Sequence, residues 1–164
     1  MVKYLSKSFI INFLLILIIF FLDRFSKIYV INFYEKNYGS DLYNSKFLNI
    51  NLIWNEGIAF GLFSFSDKFF YHILSFLIGA VILIITVMLN RSEGLKKYSL
   101  TMILGGALGN FYDRIVFEAV PDFIDFHVEN FHWFIFNVSD IFICLGVIFM
   151  IILEIVSNKK ESLK

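Results

Sequence analysis

Two aspartates are the residues of this sequence most able to do chemistry. Asp122 lies in residues 120–123 (VPDF) and Asp140 ends residues 136–140 (FNVSD), each beside a strongly apolar segment. A carboxylate at the edge of hydrocarbon is costly to keep charged, so its presence indicates a function. Two close carboxylates at a desolvated site share a proton near neutral pH, and one can then activate a water. The pattern predicts a water-activating pair that cuts a bond at a membrane face.

The composition indicates a membrane protein. Of the 164 residues 59% are hydrophobic and 17% are charged, whereas ordinary soluble domains are about 45–50% apolar and about a quarter charged. So short a chain leaves much of its surface exposed and cannot hide this excess in a core. The net charge of zero gives no indication of nucleic-acid binding, and the single cysteine, Cys144, excludes an internal disulfide.

Four apolar segments predict membrane-spanning helices, at about residues 9–31, 69–89, 98–113 and 134–156. Lysines precede the first, as in a signal peptide, but no small-x-small cleavage motif follows it, so we expect an uncleaved helix. We find no internal repeat or low-complexity linker. The simplest prediction is one membrane-embedded domain over residues 1–164.

The distribution of Lys and Arg predicts the orientation. These residues gather before the first span, between the second and third, and after the fourth. By the positive-inside tendency both termini are then cytoplasmic. The loops at about 32–68 and 114–133 are then outside, which places Asp122 and Asp140 on the outer side.

The first outer loop contains a pattern typical of β-structure. Apolar and polar residues alternate in residues 48–54 (LNINLIW), turn chemistry follows at 55–57, and residues 58–63 (IAFGLF) can return as a second strand. The predicted fold is therefore mainly α, a polytopic membrane protein with four transmembrane helices and a small extracytoplasmic β-sheet between helices 1 and 2.

Helical spacing predicts which polar residues support the aspartates. Gly106, Asn110 and Asp113 stand at i, i+4 and i+7, so they share one stripe of the third span. Asn137 and Asp140 share a face of the fourth span by the same rule. We expect these faces to meet, with the asparagine amides orienting the carboxylates by hydrogen bonds.

Several charged residues also have purely structural interpretations. Asp140 paired with Arg114 would serve assembly alone. Asp23 and Lys27 are i, i+4 neighbours and predict an intrahelical ion pair. Asp113 next to Arg114 at a helix end favours a structural pair or clamp over a catalytic unit.

A metal site is not expected. His127 and His132 lie near Asp125 and Glu129, but their five-residue spacing places them on one face of neither a helix nor a strand. Metal-binding histidines usually follow tighter patterns such as His-x-x-x-His. We predict neither a metal nor a cofactor.

The motifs resemble those of the bacterial lipoprotein signal peptidases, also called signal peptidase II. The resemblance is carried by residues 105–114 (GGALGNFYDR), 120–123 and 136–140. Asp23 with Lys27, and residues 55–61 (NEGIAFG), are similar to two further family motifs. Nearly the whole chain matches in order. The sequence departs from the family at two residues, Pro121 in place of an aliphatic residue and Ser139 in place of alanine.

The resemblance implies an aspartic endopeptidase of the bacterial cytoplasmic membrane. Its substrates would be prolipoproteins whose cysteine carries diacylglycerol, cut just before that cysteine. It implies Asp122 and Asp140 as the catalytic pair, Asp113 as structural, and a group that supports the site or contacts substrate: Asp23, Lys27, Asn55, Gly106, Asn110, Arg114 and Asn137. We expect a monomer that contacts membrane phospholipid and binds no nucleic acid.

Two other functions stay open at this point. A small transporter would place its ionisable residues near the bilayer midplane between repeats, whereas these lie at the outer boundary and no repeat is found. An inactive binding protein for lipidated peptides is disfavoured by the intact pair of aspartates.

Overall fold

The computed structural model describes residues 7–57, 68–129 and 131–161. Within these residues four helices and four strands follow one another as α1 (Lys7–Lys36), β1 (Tyr43–Asn44), β2 (Leu48–Asn55), α2 (Lys68–Arg91), α3 (Gly94–Phe117), β3 (Val120–Val128), β4 (Phe131–Phe136) and α4 (Val138–Glu161). The mainly helical class with a small sheet is thus confirmed. The return strand predicted at 58–63 lies outside the described residues.

Three of the described helices are long and apolar enough to cross a membrane: Lys7–Lys36, Tyr71–Arg91 and Val138–Ser157. Many of their large apolar side chains point away from the protein. Phe76 of α2 is 75% exposed, Leu83 is 68% exposed and Ile155 of α4 is 62% exposed. Helices satisfy their own backbone hydrogen bonds, so such faces can lie directly against lipid.

The remaining helix, α3, is the centre of the bundle. It has 24 residues, as α2 and α4 do, and it packs against each of the other three helices. Its apolar side supplies Leu100 and Leu104 to a core shared with Ile82 and Leu89 of α2. Contact with three neighbouring helices buries much of α3, which is why it can carry buried polar residues such as Asn110 and Asp113.

The sheet joins both loops that were predicted to be outside. All neighbours in the order β1-β2-β3-β4 are antiparallel. The sequence predicted strands only in the first loop, but β3 and β4 form a hairpin in the second. Asp122 of β3 is paired with Ile53 of β2, so the sheet fixes its position. Pro121, the departure from the family pattern, lies in the same strand opposite Trp54.

The fourth helix begins later than predicted. Residues 134–136 are the end of β4, paired with Ile124, Asp125 and Phe126, and α4 starts at Val138. The apolar run through residue 136 was taken for helix because short apolar runs do not distinguish strand from helix. Asn137 therefore precedes the helix and does not share a helical face with Asp140.

Candidate active site

Asp122 is a buried carboxylate held by two amides from different parts of the chain. Asn55 Nδ2 donates to Asp122 Oδ2 at 2.8 Å, and Asn137 Nδ2 donates to Oδ1 at 2.6 Å. The residue is 4% exposed. Asn55 is the last residue of β2 and Asn137 directly follows β4, so the sheet brings both donors to the carboxylate.

Asp140 is held by the beginning of α4 itself. Asn137 Oδ1 accepts the Asp140 N–H at 3.2 Å, and Asp140 Oδ2 accepts the Asn137 N–H at 3.1 Å. This reciprocal arrangement is a capping box, with Asn137 as N-cap and Asp140 three residues later. Asn110 Nδ2 of α3 donates to the other oxygen, Oδ1, at 2.8 Å. The N-terminus of the helix also favours negative charge at this position.

The two carboxylates line one cavity of about 430 Å³. Asn55, Asn110 and Asn137 line it too, together with apolar side chains of β4 and α4. Burial, together with the nearby charge of Asp140, raises the pKa of Asp122 from 3.8 to about 6, against the lowering effect of the two amide donors. A carboxylate pair of this kind holds a proton closer to neutral pH than an isolated aspartate does.

Behind the cavity, Lys27 lies fully buried among three acceptors. Its Nζ donates to Asp23 Oδ2 at 2.8 Å, to Asn110 Oδ1 at 2.8 Å and to Asp113 Oδ2 at 2.7 Å. The three protons of the ammonium are thus all used. The bond to Asn110 Oδ1 orients that amide so that its NH₂ group faces Asp140. The predicted Asp23–Lys27 pair is present, but it is part of a network between α1 and α3.

Asp23 joins this network to the start of α4. Its second oxygen, Oδ1, accepts the backbone N–H of Ser139 at 3.0 Å. That N–H is one of the four at a helix N-terminus that have no partner inside the helix. Arg24 completes the charge balance by pairing with Asp113 Oδ1. Arg24 was not among the residues selected from the sequence, although its position next to Asp23 in an apolar span was a signal.

Arg114 forms neither of the two pairs considered from the sequence, with Asp140 or with Asp113. Its guanidinium donates to the carbonyl oxygens of Asn110 at 3.1 Å and Gly57 at 3.3 Å, which ties α3 to the end of the first loop. Among the ion pairs of residues 7–57, 68–129 and 131–161, Asp140 is not paired with Arg114, and Asp113 pairs with Lys27 and Arg24. The interpretation of Asp140 as half of a structural ion pair with Arg114 is therefore not supported by these ion pairs.

Two glycines allow α3 and α4 to approach closely. A methyl group on Gly106 would overlap the backbone carbonyl of Ser139, and its distance to Ile143 Cγ1 would be 2.8 Å. A methyl group on Gly109 would overlap Ser139 Oγ and come within 2.7 Å of Asp23 Oδ2. Both glycines therefore set the distance between α3 and the residue that precedes Asp140.

Of the ten residues selected from the sequence, Asp122, Asp140, Asn55, Asn110, Asn137 and Arg114 line the cavity, and Asp23, Lys27, Gly106 and Asp113 lie behind it. The sequence reasoning missed the contact between Ser139 N–H and Asp23. Ser139 Oγ is itself buried and makes no hydrogen bond to the described part of the chain.

A bundle of apolar helices, with two linked carboxylates in a cavity between a sheet and the helix ends, defines a polytopic membrane enzyme. The family model described as "Signal peptidase (SPase) II" matches residues 15–156. The chain therefore belongs to the signal peptidase II family, as the motif resemblance indicated.

Individual relatives support this assignment over nearly full length. A lipoprotein signal peptidase of Pelagibacter ubique (strain HTCC1062) is 47% identical, with 95% of this chain and 94% of the relative covered. A lipoprotein signal peptidase of Anaplasma marginale (strain Florida) is 33% identical, with 94% of this chain and 89% of the relative covered. Among solved structures, a bacterial membrane enzyme superposes with a TM-score of 0.72 and 27% identity, covering 97% of this chain and 95% of that one.

Proposed function

We propose that this protein is a lipoprotein signal peptidase in which Asp122 and Asp140 act as a catalytic pair. It removes signal peptides from bacterial prolipoproteins, cutting just before a diacylglyceryl-modified cysteine. The observation that carries the proposal for the pair is the position of Asn137, which hydrogen-bonds both carboxylates in one cavity. Such a link holds two acidic groups in a fixed relation to each other and to a bound water.

In the proposed reaction the two aspartates have different starting states. Asp140 begins ionised, because two N–H donors and a helix N-terminus favour its charge. Asp122 holds the proton that the pair shares, because burial and the charge of Asp140 raise its pKa to about 6, so that part of the enzyme population carries this proton near neutral pH. Asp140 takes a proton from the water while the water oxygen attacks the scissile carbonyl carbon. Asp122 donates a hydrogen bond to the carbonyl oxygen. The proton held by Asp140 then passes to the leaving nitrogen, so no covalent enzyme intermediate forms.

The cavities beside the pair suit an apolar substrate. The cavity along α4 is lined mostly by apolar residues, among them Phe134, Phe136, Ile141 and Leu145. A second cavity of about 440 Å³ lies along β2 and β4, and Asn55 and Asp122 line both. Asp122 thus lies where the two cavities meet. We propose that the signal peptide and the acyl chains occupy these two spaces, with the scissile bond at their junction.

The enzyme acts in the bacterial cytoplasmic membrane. We propose that both termini are cytoplasmic and that the sheet and Asp122 lie on the outer side, because Lys and Arg gather at the opposite ends of the helices. A monomer is sufficient for the proposed reaction, since both carboxylates come from one chain. Phospholipid would contact the exposed apolar faces of α1, α2 and α4, while nucleic acid and cofactors have no part in the scheme.

The test is hydrolysis of a diacylglyceryl-modified prolipoprotein by purified protein in detergent. Asp122→Asn and Asp140→Asn should each lower kcat by about 10²-fold to 10⁴-fold, the range for losing a general acid or base. Asp41→Asn, at an exposed aspartate outside the cavity, is the matched control and should retain wild-type kcat. Near-normal hydrolysis by either cavity variant would disprove the pair.

The two rival functions give different results in the same assay. An inactive binding protein would bind the lipidated substrate without converting it, in the wild type as well as in the variants. A transporter would move ions or solutes across proteoliposomes, and this movement would depend on Asp122 and Asp140. Conversion by wild type alone supports the peptidase.

A further inference from the structure

A cluster of one carboxylate and two imidazoles lies on the β3–β4 hairpin, and the proposed reaction does not use it. Asp125, His127 and His132 each offer a ligand atom, and these atoms all lie within 4.8 Å of one another. The five-residue spacing of the histidines argued against this in the sequence analysis. In the structure the two histidines lie on different strands, so their spacing along the chain does not keep them apart.

The register of the hairpin explains how the histidines meet. A shift between Phe126 and His127 places His127 directly opposite His132. Residues opposite each other in an antiparallel pair have Cβ atoms about 4.5–5.5 Å apart. The two imidazole rings accordingly lie nearly parallel, 22° between planes, with centroids 5.2 Å apart. Asp125 precedes His127 by two residues and so projects from the same face of β3.

The hydrogen bonding around the cluster is incomplete. Both oxygens of Asp125 lie within 2.9 Å of His132 Nδ1, and the aspartate is 1% exposed. His127 Nδ1 is also buried, yet it makes no hydrogen bond to any residue that the structure describes. A buried imidazole nitrogen ordinarily has a partner. The side chain of His132 is 50% exposed, so the cluster can be reached from solvent.

We propose that Asp125, His127 and His132 form a binding site for a divalent transition-metal ion of the Zn²⁺ class. Two imidazoles and one carboxylate are a donor set that Zn²⁺ accepts, with a water in the fourth position. Mg²⁺ and Ca²⁺ prefer oxygen ligands and would bind more weakly. The proposal does not depend on the peptidase function.

The consequence of the bound ion is a more rigid hairpin. Asp122 lies at the start of β3 and Asn137 directly follows β4, so an ion that joins the two strands holds together the segments that carry both. His132 lines the second cavity together with Asp122, but none of the three ligands hydrogen-bonds Asp122 or Asp140 in the described residues, so the proposed role is structural.

The experiment is calorimetric titration of the full-length, untagged chain in detergent with Zn²⁺, after treatment with a chelator. The wild type should bind one equivalent saturably, and Co²⁺ in the same site should give a visible absorption band typical of imidazole coordination. His127→Gln is the main variant. It removes a ligand whose buried Nδ1 makes no hydrogen bond to the described residues, so the change breaks no such bond. It should weaken binding at least ~10-fold, and Asp125→Asn should do the same.

His72→Gln is the control, since His72 is the remaining histidine and lies on α2. It should leave both the stoichiometry and Kd unchanged. A second measurement is thermal unfolding: Zn²⁺ should raise the Tm of wild type and of His72→Gln, but not of His127→Gln. The proposal is overturned if wild type shows no saturable uptake below about 1 mM, or if all variants bind as the wild type does.

Discussion

Asn137 and Asp140 cap each other at the start of α4, through the Asn137 side chain to the Asp140 N–H and the Asp140 side chain to the Asn137 N–H. The same Asn137 also donates from its amide nitrogen to Asp122. One residue therefore begins a membrane-spanning helix and sets the relation between two carboxylates. Asn137 therefore contributes both to stability and to the proposed catalysis, and different substitutions should affect the two separately.

Replacing Asn137 should affect stability and hydrolysis differently according to the new side chain. Asn137→Ala removes both functions, so it should lower the free energy of unfolding by about 1 kcal/mol from the lost cap and lower kcat as well. Asn137→Ser keeps a good N-cap but loses the amide donor to Asp122. It should regain most of the wild-type Tm while kcat stays low. Thermal unfolding and hydrolysis of a lipidated substrate measure the two effects, and equal recovery of both by serine would contradict this division.

Removing the buried ammonium of Lys27 should be far more damaging than removing a surface one. Lys27→Met leaves Asp23 and Asp113 buried with less compensation, and losing one member of a buried ion pair costs about 3–5 kcal/mol. Lys96→Met is the control, because Lys96 lies 3.7 Å from Glu154 with both side chains about half or more exposed. That change should cost under about 1 kcal/mol. Unfolding in a denaturing detergent should rank the two variants in this order, and similar costs would contradict the role of the network.

The sequence analysis selected both carboxylates that line the cavity, but it did not find several of the contacts around them. Asp122, Asp140 and Asn110 were recognisable because a polar side chain in an apolar segment needs a physical reason. The helices α1 and α2 were recognisable from their length and apolarity. The contact between Asp23 and the N–H of Ser139 was not, because it depends on how α1 and α4 are rotated about their own axes, and periodicity within one helix does not determine that.

The second outer loop was the main omission. Residues 120–136 contain two strands, and the alternation in IDFHV (residues 124–128) was a signal for the first of them. The apolar run of β4 leads directly into α4, with only Asn137 between them. Periodicity alone does not show where such a run changes from strand to helix. Missing the hairpin also hid the pairing of His127 with His132.

The close packing of α3 on α4 predicts a graded effect of alanine at the glycines of the bundle. Gly106→Ala forces the backbone of Ser139 away and so displaces Asp140, and a displacement of about 1 Å can cost about 10²-fold in rate. Gly79→Ala is the control, because its methyl group would meet only the ring of Phe111, at 3.3 Å and beyond. Its kcat should stay within about threefold of wild type. A Gly106→Ala enzyme with wild-type kcat would show that this contact does not position Asp140.

The raised pKa of Asp122 predicts how the stability of the protein depends on pH. Its pKa is about 6 in the folded protein against an ordinary value of 3.8, so between these two values the folded state binds a proton that the unfolded chain has released. The contribution of Asp122 therefore favours folding at pH 4 and is lost as the pH rises through about 6, a change of up to about 3 kcal/mol. Asp122→Asn cannot titrate and should lack this decline. Tm values of wild type and variant can be measured from pH 4 to pH 7.5 by tryptophan fluorescence. Plotted against pH, they should differ in slope up to about pH 6 and run parallel above about pH 7. Parallel curves throughout would show that Asp122 titrates as an ordinary aspartate does.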